Sequence, residues 1–240
     1  YEMDLGCVVG RAYGGMIDYL GESAGWPAKG WTQGIFDISL EPKPIAWFLR
    51  SIFKPEEPVV HIGVIDSDEQ LMWNDVQVGT QKLSDHWNRT PGSSLTLYTF
   101  TNADEVELRL NGKSLGRKRN AVADPKTRNR IVWENIPYSH GYLEAIAYRD
   151  GQGRPVTIHR IETSGRASRL TATADNPSWK ADGMDLQHVR IEAIDSHKRR
   201  DPQASAPLTF SVDGPAEIVG VINGDLCSHE LSTGNTRSLH

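Results

Sequence analysis

Between residues 59 and 161 apolar and polar side chains alternate in short runs rich in β-branched and aromatic residues: 59–62, 95–101, 105–110, 142–148 and 156–161. That texture predicts antiparallel strands. Val106, Leu108 and Leu110 alternate with Glu105, Glu107 and Arg109, so one face of this strand is expected in a core and the other in water. Asn111-Gly112 follows directly. Both residues tolerate positive φ, which predicts a two-residue hairpin turn. Asp150-Gly151, with Gly153, predicts a second turn, and residues 54–165 read as an immunoglobulin-like β-sandwich. Within it, 66–91 is less regular and predicts a long connection, with Trp73 and Trp87 open to either core or surface.

The same two-residue period returns after a seam at 165–168. Leu170, Ala172 and Ala174, then Val189, Ile191 and Ala193, then Leu208, Phe210 and Val212 alternate with polar neighbours. Their intervals predict a second sandwich over 166–240, whose final strands are expected beyond His240. Ahead of residue 54 the period is different. Ile45, Phe48, Leu49, Ile52 and Phe53 form one helical stripe, expected to face inward, and Pro44 suits the first turn, where a missing N–H costs nothing. Lys54-Pro55-Glu56-Glu57-Pro58 ends the helix as a short stiff linker. Before the helix, Cys7-Val8-Val9 and Met16-Ile17 predict buried strand, leading into a polar, aromatic loop with Asp18, Tyr19, Glu22, Trp26 and Trp31. Residues 1–53 form a third unit. The chain is mainly β, with one strand, loop and helix in front.

Bulk properties remove several functions. With 31 acidic and 26 basic residues the formal net charge is −5, which gives no electrostatic reason to expect nucleic acid or an anionic membrane. No apolar run approaches the ~20 residues of a membrane span. No signal peptide stands at the start. Two cysteines, Cys7 and Cys227, make no disulfide framework and are expected free and buried. The eight histidines show no paired spacing for structural zinc. Asp66-Ser67-Asp68-Glu69 is too short for a calcium loop and reads as a solvated turn. Arg117-Lys118-Arg119 and Lys198-Arg199-Arg200 read as solvated hairpin ends. Asn88-Arg89-Thr90 has the form of a glycosylation acceptor. No cofactor is implied.

The loop after Ile17 carries the candidate chemistry. Aromatic faces stack on the C–H face of pyranose rings, and carboxylates accept hydrogen bonds from their hydroxyls. Asp18, Tyr19, Glu22 and Trp26 are therefore candidates for binding sugar. Trp31, and Trp26 as well, could instead cap the helix. Asp18 and Glu22 invite comparison with a general acid and nucleophile, but a retaining glycosidase holds its pair ~5–5.5 Å apart, usually from separate strands. Two residues from one strand end do not straddle a glycosidic bond, so neither is assigned a catalytic role.

The order of motifs resembles one family. Asp18-Tyr19-Leu20-Gly21-Glu22, then Trp26-Pro27, then Gly34-Ile35-Phe36-Asp37, then Lys43-Pro44 before a helix, resembles the last strand, loop and helix of a glycoside hydrolase family 2 (β/α)8 barrel, in its β-galactosidase branch. Residues 58–62, 105–118 and 133–150 resemble the sandwich that follows the barrel, and 214–230 the terminal immunoglobulin-like domain. The resemblance implies hydrolysis of terminal β-galactosides by a retaining two-carboxylate mechanism, with both catalytic glutamates on earlier strands outside this chain. It implies a carbohydrate substrate, the remainder of the barrel or a homodimer as partner, no nucleic acid or membrane partner, and a periplasmic or extracellular location. In the family a tryptophan four residues before the Asp packs on the sugar; here that slot is Gly14. A carbohydrate-binding module without catalysis and a structural spacer are the alternative readings.

Overall fold

A computed structural model describes residues 6–10, 12–23, 25–67, 71–73, 76–78 and 82–240, with the backbone alone at 71–73 and 76–78. The chain runs β1 (Tyr19–Leu20), β2 (Gly30–Trp31), α1 (Pro44–Phe53), β3 (Val60–Ser67), β4 (Leu71–Trp73), β5 (Val76–Val78), β6 (Lys82–Ser84), β7 (Ser94–Thr101), β8 (Glu105–Leu110), β9 (Lys113–Arg119), β10 (Arg130–Pro137), β11 (Tyr142–Tyr148) and β12 (Thr157–Glu162), then β13 (Arg169–Ala174), β14 (Val189–Ile194), β15 (Pro207–Thr209) and β16 (Thr236–Ser238). Among the described residues it is mainly β with one helix, as its alternating pattern predicts.

The middle of the chain is a sandwich of two antiparallel four-stranded sheets, ordered β10-β7-β3-β6 and β12-β11-β8-β9. Ile62, Val64, Leu97, Val106, Leu108, Leu143, Ala145 and Ala147 meet between them in one buried cluster with Trp87 and Trp133. The β8–β9 turn has φ of +50° at Asn111 and +80° at Gly112, with Leu110 paired to Lys113, the geometry expected of Asn-Gly in a two-residue hairpin. Trp87, inside the irregular connection, is fully buried and donates Nε1–H to the Ser139 carbonyl at 3.0 Å. The side chain of Trp73 and residues 68–69 lie outside the described residues.

Several expectations are corrected here. Residues 7–9 form no strand, and Val9 is fully exposed. A strand buried on both faces needs lateral neighbours, and none pairs with this run among the described residues. Cys7 and Cys227 are free but exposed. The basic triplet at 117–119 is not a hairpin end; it lies within edge strand β9 with each cation partnered. Arg117 pairs with Glu107 at 3.1 Å and covers the Tyr148 ring at 4.3 Å, Lys118 lies over Trp133, and Arg119 pairs with Asp150. Asn88 is no free acceptor, because its amide spans Ser164, donating to the carbonyl and accepting from N–H.

The helix faces the sandwich with a different stripe from the one its sequence predicts. Pro44 and Ser51 are its buried residues, Trp47 stacks on His61 of β3 at 4.8 Å between ring centroids, and Phe48 meets Phe100 of β7 at 5.8 Å. Positions 44, 47, 48 and 51 share one helical face. Asn129 donates to both the carbonyl and the hydroxyl of Ser51. Phe53 is left 70% exposed and Ile52 is exposed beside it. Beneath Trp47 the His61 ring lies 3.9 Å from that of His159. His159 Nδ1 accepts the Ile62 N–H, which places its proton on Nε2. Burial pushes both imidazoles down, His61 to about 2 with the His159 ring as second cause, and His159 to about 4. His61 Nε2 is buried without a hydrogen-bond partner.

The linker is clamped. Asn102 Nδ2 donates to the carbonyls of Lys54, Pro55 and Glu57, while its Oδ1 accepts from Val59 N–H. At the next seam, burial alone would raise the Asp195 carboxyl. Backbone N–H groups of Gly165, Arg199 and His197 and the Arg199 guanidinium overcome that and hold it well below the usual carboxylate range. Beyond it, β13 pairs with β14 and β15 with β16. The third expected run is shortened to Pro207–Thr209, and Leu170, Val189, Val212, Val219 and Leu231 are exposed.

Candidate functional site

The loop that carries the candidate residues is a short hairpin. Tyr19 pairs with Trp31 and Leu20 with Gly30. Gly30 passes so close under the Tyr19 carbonyl that no side chain fits there. Between the strands Gly21 N–H reaches Lys29 O at 3.0 Å, Ser23 Oγ donates to Ala28 O at 2.6 Å, and Gly25 N–H donates back to Ser23 Oγ. Gly21 and Gly25, with φ of +112° and +124°, give the loop its two tight bends.

Asp18 lies below the hairpin, not on it. Its side chain is buried, and Oδ1 accepts Gly34 N–H at 2.9 Å and Lys43 Nζ at 2.7 Å. Lys43 also donates to Thr32 O. The residue before α1 makes no side-chain cap, since an ammonium has no acceptor for helix N–H groups; it turns back to neutralise Asp18. An isolated buried carboxylate is costly, and pairing offsets that cost. Asp18 is thus a brace between the loop's root and the helix.

The other three candidates are exposed together. Tyr19 donates its hydroxyl to Glu22 Oε2 at 2.8 Å, and that bond, ahead of burial, raises the phenol above its ordinary value. Trp26 is 85% exposed. Its indole stacks on His229 with centroids 4.5 Å apart and planes 28° apart. A carbonyl can only accept, so the 3.2 Å contact from His229 Nε2 to Pro27 O puts the imidazole proton on Nε2. Trp31 is buried, a structural residue of the hairpin. Gly14 is open, with nothing within 4 Å of where a Cβ would stand.

Two contributors were not read from the sequence. Lys43 stands in a quoted motif, but its pairing with Asp18 spans 25 residues and has no local signature. His229 is 202 residues from Pro27. The frame is completed by Lys29 N–H on Leu226 O and an ion pair between Arg190 and Glu41. A cleft of about 630 Å³ opens at the 165 seam, beside Asn88, Arg166, Asp201 and Gln203. It holds none of the candidate residues, and Asp201 already accepts from Ala167 and Gln203 N–H. Among the described residues no three His, Cys, Asp or Glu side chains are grouped to hold a metal, and no helix is long and apolar enough to cross a membrane.

Known proteins resemble this chain in sequence and fold. Residues 170–240 match the glycoside hydrolase family 2 C-terminal domain 5, and 92–153 match a domain of unknown function (DUF4982). The β-galactosidase BoGH2A of Bacteroides ovatus is 32% identical over 217 residues, covering 89% of this chain and 22% of that protein. A β-glucuronidase of Formosa agariphila is 29% identical over 186 residues, 77% of this chain and 16% of the relative. In structure, a glycosyl hydrolase family 2 member from Bacteroides cellulosilyticus superposes with a TM-score of 0.82 at 32% identity, over 93% of this chain and 30% of that one. The chain belongs to glycoside hydrolase family 2 and corresponds to a C-terminal portion of such a protein. It spans about a fifth of the length of these curated relatives.

Proposed function

We propose that this chain is the C-terminal arm of an enzyme that hydrolyses terminal β-galactosides by a retaining mechanism, supplying one side of the active-site mouth and accessory modules rather than the catalytic pair. The carrying observation is the braced hairpin that presents Tyr19, Glu22 and Trp26 outward. Retaining hydrolysis needs two carboxyl groups ~5–5.5 Å apart, one to protonate the leaving oxygen and one to attack the anomeric carbon. Asp18 is buried against Lys43, so the hairpin offers Glu22 as its exposed carboxylate. A single carboxylate and a stacking face suit a neutral, hydroxyl-rich sugar. The remainder of a catalytic barrel is the partner that fits the outward Phe53, Ile52, Met16 and Ile17, all exposed on the same N-terminal unit.

Two alternatives are weaker on specific grounds. A carbohydrate-binding module would present bare aromatics on a sandwich. Here Arg130 covers Tyr98, Arg160 covers Tyr142 and Arg117 covers Tyr148. A glucuronide site would need a cation near the sugar carboxylate. Lys43, the cation beside the hairpin's root, is already engaged by Asp18.

The test replaces the corresponding segment of the Bacteroides ovatus β-galactosidase with this chain. Nitrophenyl β-galactoside and β-glucuronide are then compared as substrates. The chimaera should prefer the galactoside, and Glu22→Gln should raise KM about tenfold, the scale of one good hydrogen bond. Turnover by the isolated 240-residue chain, or a glucuronide preference, would overturn the proposal.

A further inference from the structure

An indole as exposed as Trp26 normally adopts several rotamers; this one rests on a second ring, on a loop whose backbone is tied. On one side the hairpin is tied across by the Gly21–Lys29, Ser23–Ala28 and Gly25–Ser23 bonds. On the other, the His229 ring lies flat against one indole face. His229 is itself held. Its Nε2–H is on Pro27 O, and its neighbours on both sides are braced. Ser228 Oγ donates to Glu230, the Glu230 carboxylate accepts from Ser238 N–H and Oγ, and buried Arg237 donates to the Glu230 carbonyl. With one face on His229 and 85% of the residue exposed, the second indole face is open to solvent.

A rigid aromatic plane with one face backed and the other open differs from a core residue and from a free surface side chain. Core aromatics bury both faces, and free ones lose rotamer entropy on binding, about 0.5–1.5 kcal/mol for each immobilised side chain. A backed plane has given up that freedom before the ligand arrives. The flat apolar patch it offers matches the C–H face of a pyranose, and the same hairpin carries the exposed Glu22 carboxylate as an acceptor for ring hydroxyls.

We propose that the open face of Trp26 is a stacking platform for a neutral pyranose ring, and that His229 of the C-terminal module is the residue that positions it. This rests on the reading of the hairpin as a sugar-contacting element, and it adds a positioning role for a module outside the barrel. A C-terminal module of this family would then set substrate affinity through one imidazole and not act as a passive support.

The direct experiment titrates the intact 240-residue chain with methyl β-galactoside and with lactose, following the Trp26 indole N–H resonance, assigned by its loss in Trp26→Ala. Saturable movement of that resonance is expected. His229→Ala should weaken the affinity about fivefold, and His229→Phe, which restores a flat ring, should recover most of it. A role confined to stability would lower the melting temperature of His229→Ala without moving the dissociation constant, and that outcome overturns the positioning role. No movement of the Trp26 resonance with either sugar overturns the platform. In the chimaera, Trp26→Ala should raise KM with kcat within about twofold. An active galactosidase chimaera whose KM ignores Trp26→Ala would sink this inference and leave the proposed function standing, whereas a chimaera that prefers glucuronides would sink that function first.

Discussion

The middle sandwich and the N-terminal hairpin use the same residue types for opposite ends. Both are rich in tryptophan and tyrosine. In the sandwich Trp87 and Trp133 are buried with their N–H groups on Ser139 O and Thr99 Oγ1, and the outer tyrosines at 98, 142 and 148 lie under arginines. In the hairpin Trp26 is exposed apart from the face that His229 backs, and Tyr19 is partly exposed. The charges differ in the same sense. Glu107 is held to about 2 by the Arg109 hydrogen bonds first, against the opposing effect of burial, with Ser114 and Tyr148 adding to it. Glu22 accepts from the Tyr19 hydroxyl. A covered aromatic contributes buried area and little else, whereas an uncovered one on a fixed backbone is free to meet a ligand.

The largest expected effect breaks the comparison directly. Trp87→Ala removes a fully buried indole that meets Tyr138 edge-on at 5.5 Å. Such a truncation should cost about 3–5 kcal/mol. Trp26→Ala should cost under about 0.5 kcal/mol, as surface substitutions generally do. Denaturant unfolding followed by far-ultraviolet circular dichroism checks both. Similar losses at the two positions would mean that Trp26 is part of the core and not a platform.

A second prediction sharpens the comparison at the joint between the two regions, where Trp47 of α1 lies on His61. The groups facing that imidazole are His159 from β12 and, over Trp47, Arg50 of the helix, with Asp85 acting on His159. The ordinary histidine value is 6.5, and in the fold the two fall to about 2 and about 4. Between pH 6.5 and 4 the unfolded chain therefore takes up protons that the folded chain refuses. Stability is full above 6.5 and falls as pH drops through that window. The loss is up to ~1.4 kcal/mol per pH unit for each imidazole, about 2 kcal/mol each at pH 5. His61→Phe keeps a ring under Trp47 and should remove about half of this dependence. Equal slopes in the two proteins, measured by denaturant melts at pH 7.5 and 5, would exclude His61 as a source.

The sandwich was legible because its signals are local. Strand β8 alternates strictly, β7, β11 and β12 are short runs rich in β-branched, aromatic and other apolar residues, and Asn111-Gly112 names its own turn. Strand β9 has charged residues at most positions and lies at a sheet edge, so no apolar period marks it. In β10 the buried positions are Ile131, Trp133 and Ile136, and a register shift between Trp133 and Ile136 breaks the period. The helix was visible, but not which of its faces would seat. Sequence reports an apolar stripe, while the partner surface decides which part is covered, and the rings of His61 and Phe100 select Trp47 and Phe48. At the site, the exposed trio could be read from residue type. The Asp18–Lys43 pair and the Trp26–His229 stack join distant positions, and no local pattern encodes either.

The smallest effect on stability should come from a substitution that looks severe. Gly112 and Gly14 are one from each region. Gly112 sits at φ +80° in the β8–β9 hairpin, a conformation a β-branched residue strongly resists, so Gly112→Val should cost about 1 kcal/mol or more. Gly14 is outside the left-handed region, and a Cβ there would meet nothing within 4 Å. Close backbone approach and unusual φ are therefore not what this glycine serves, and Gly14→Trp should change stability by less than about 0.5 kcal/mol. The family places an indole at this slot against the sugar. If the hairpin here faces the same ligand, Gly14→Trp in the galactosidase chimaera should lower KM for a β-galactoside by about fivefold, roughly 1 kcal/mol of added aromatic contact. A folded variant with unchanged KM would place Gly14 away from the sugar and separate the hairpin's stacking face from the family's tryptophan.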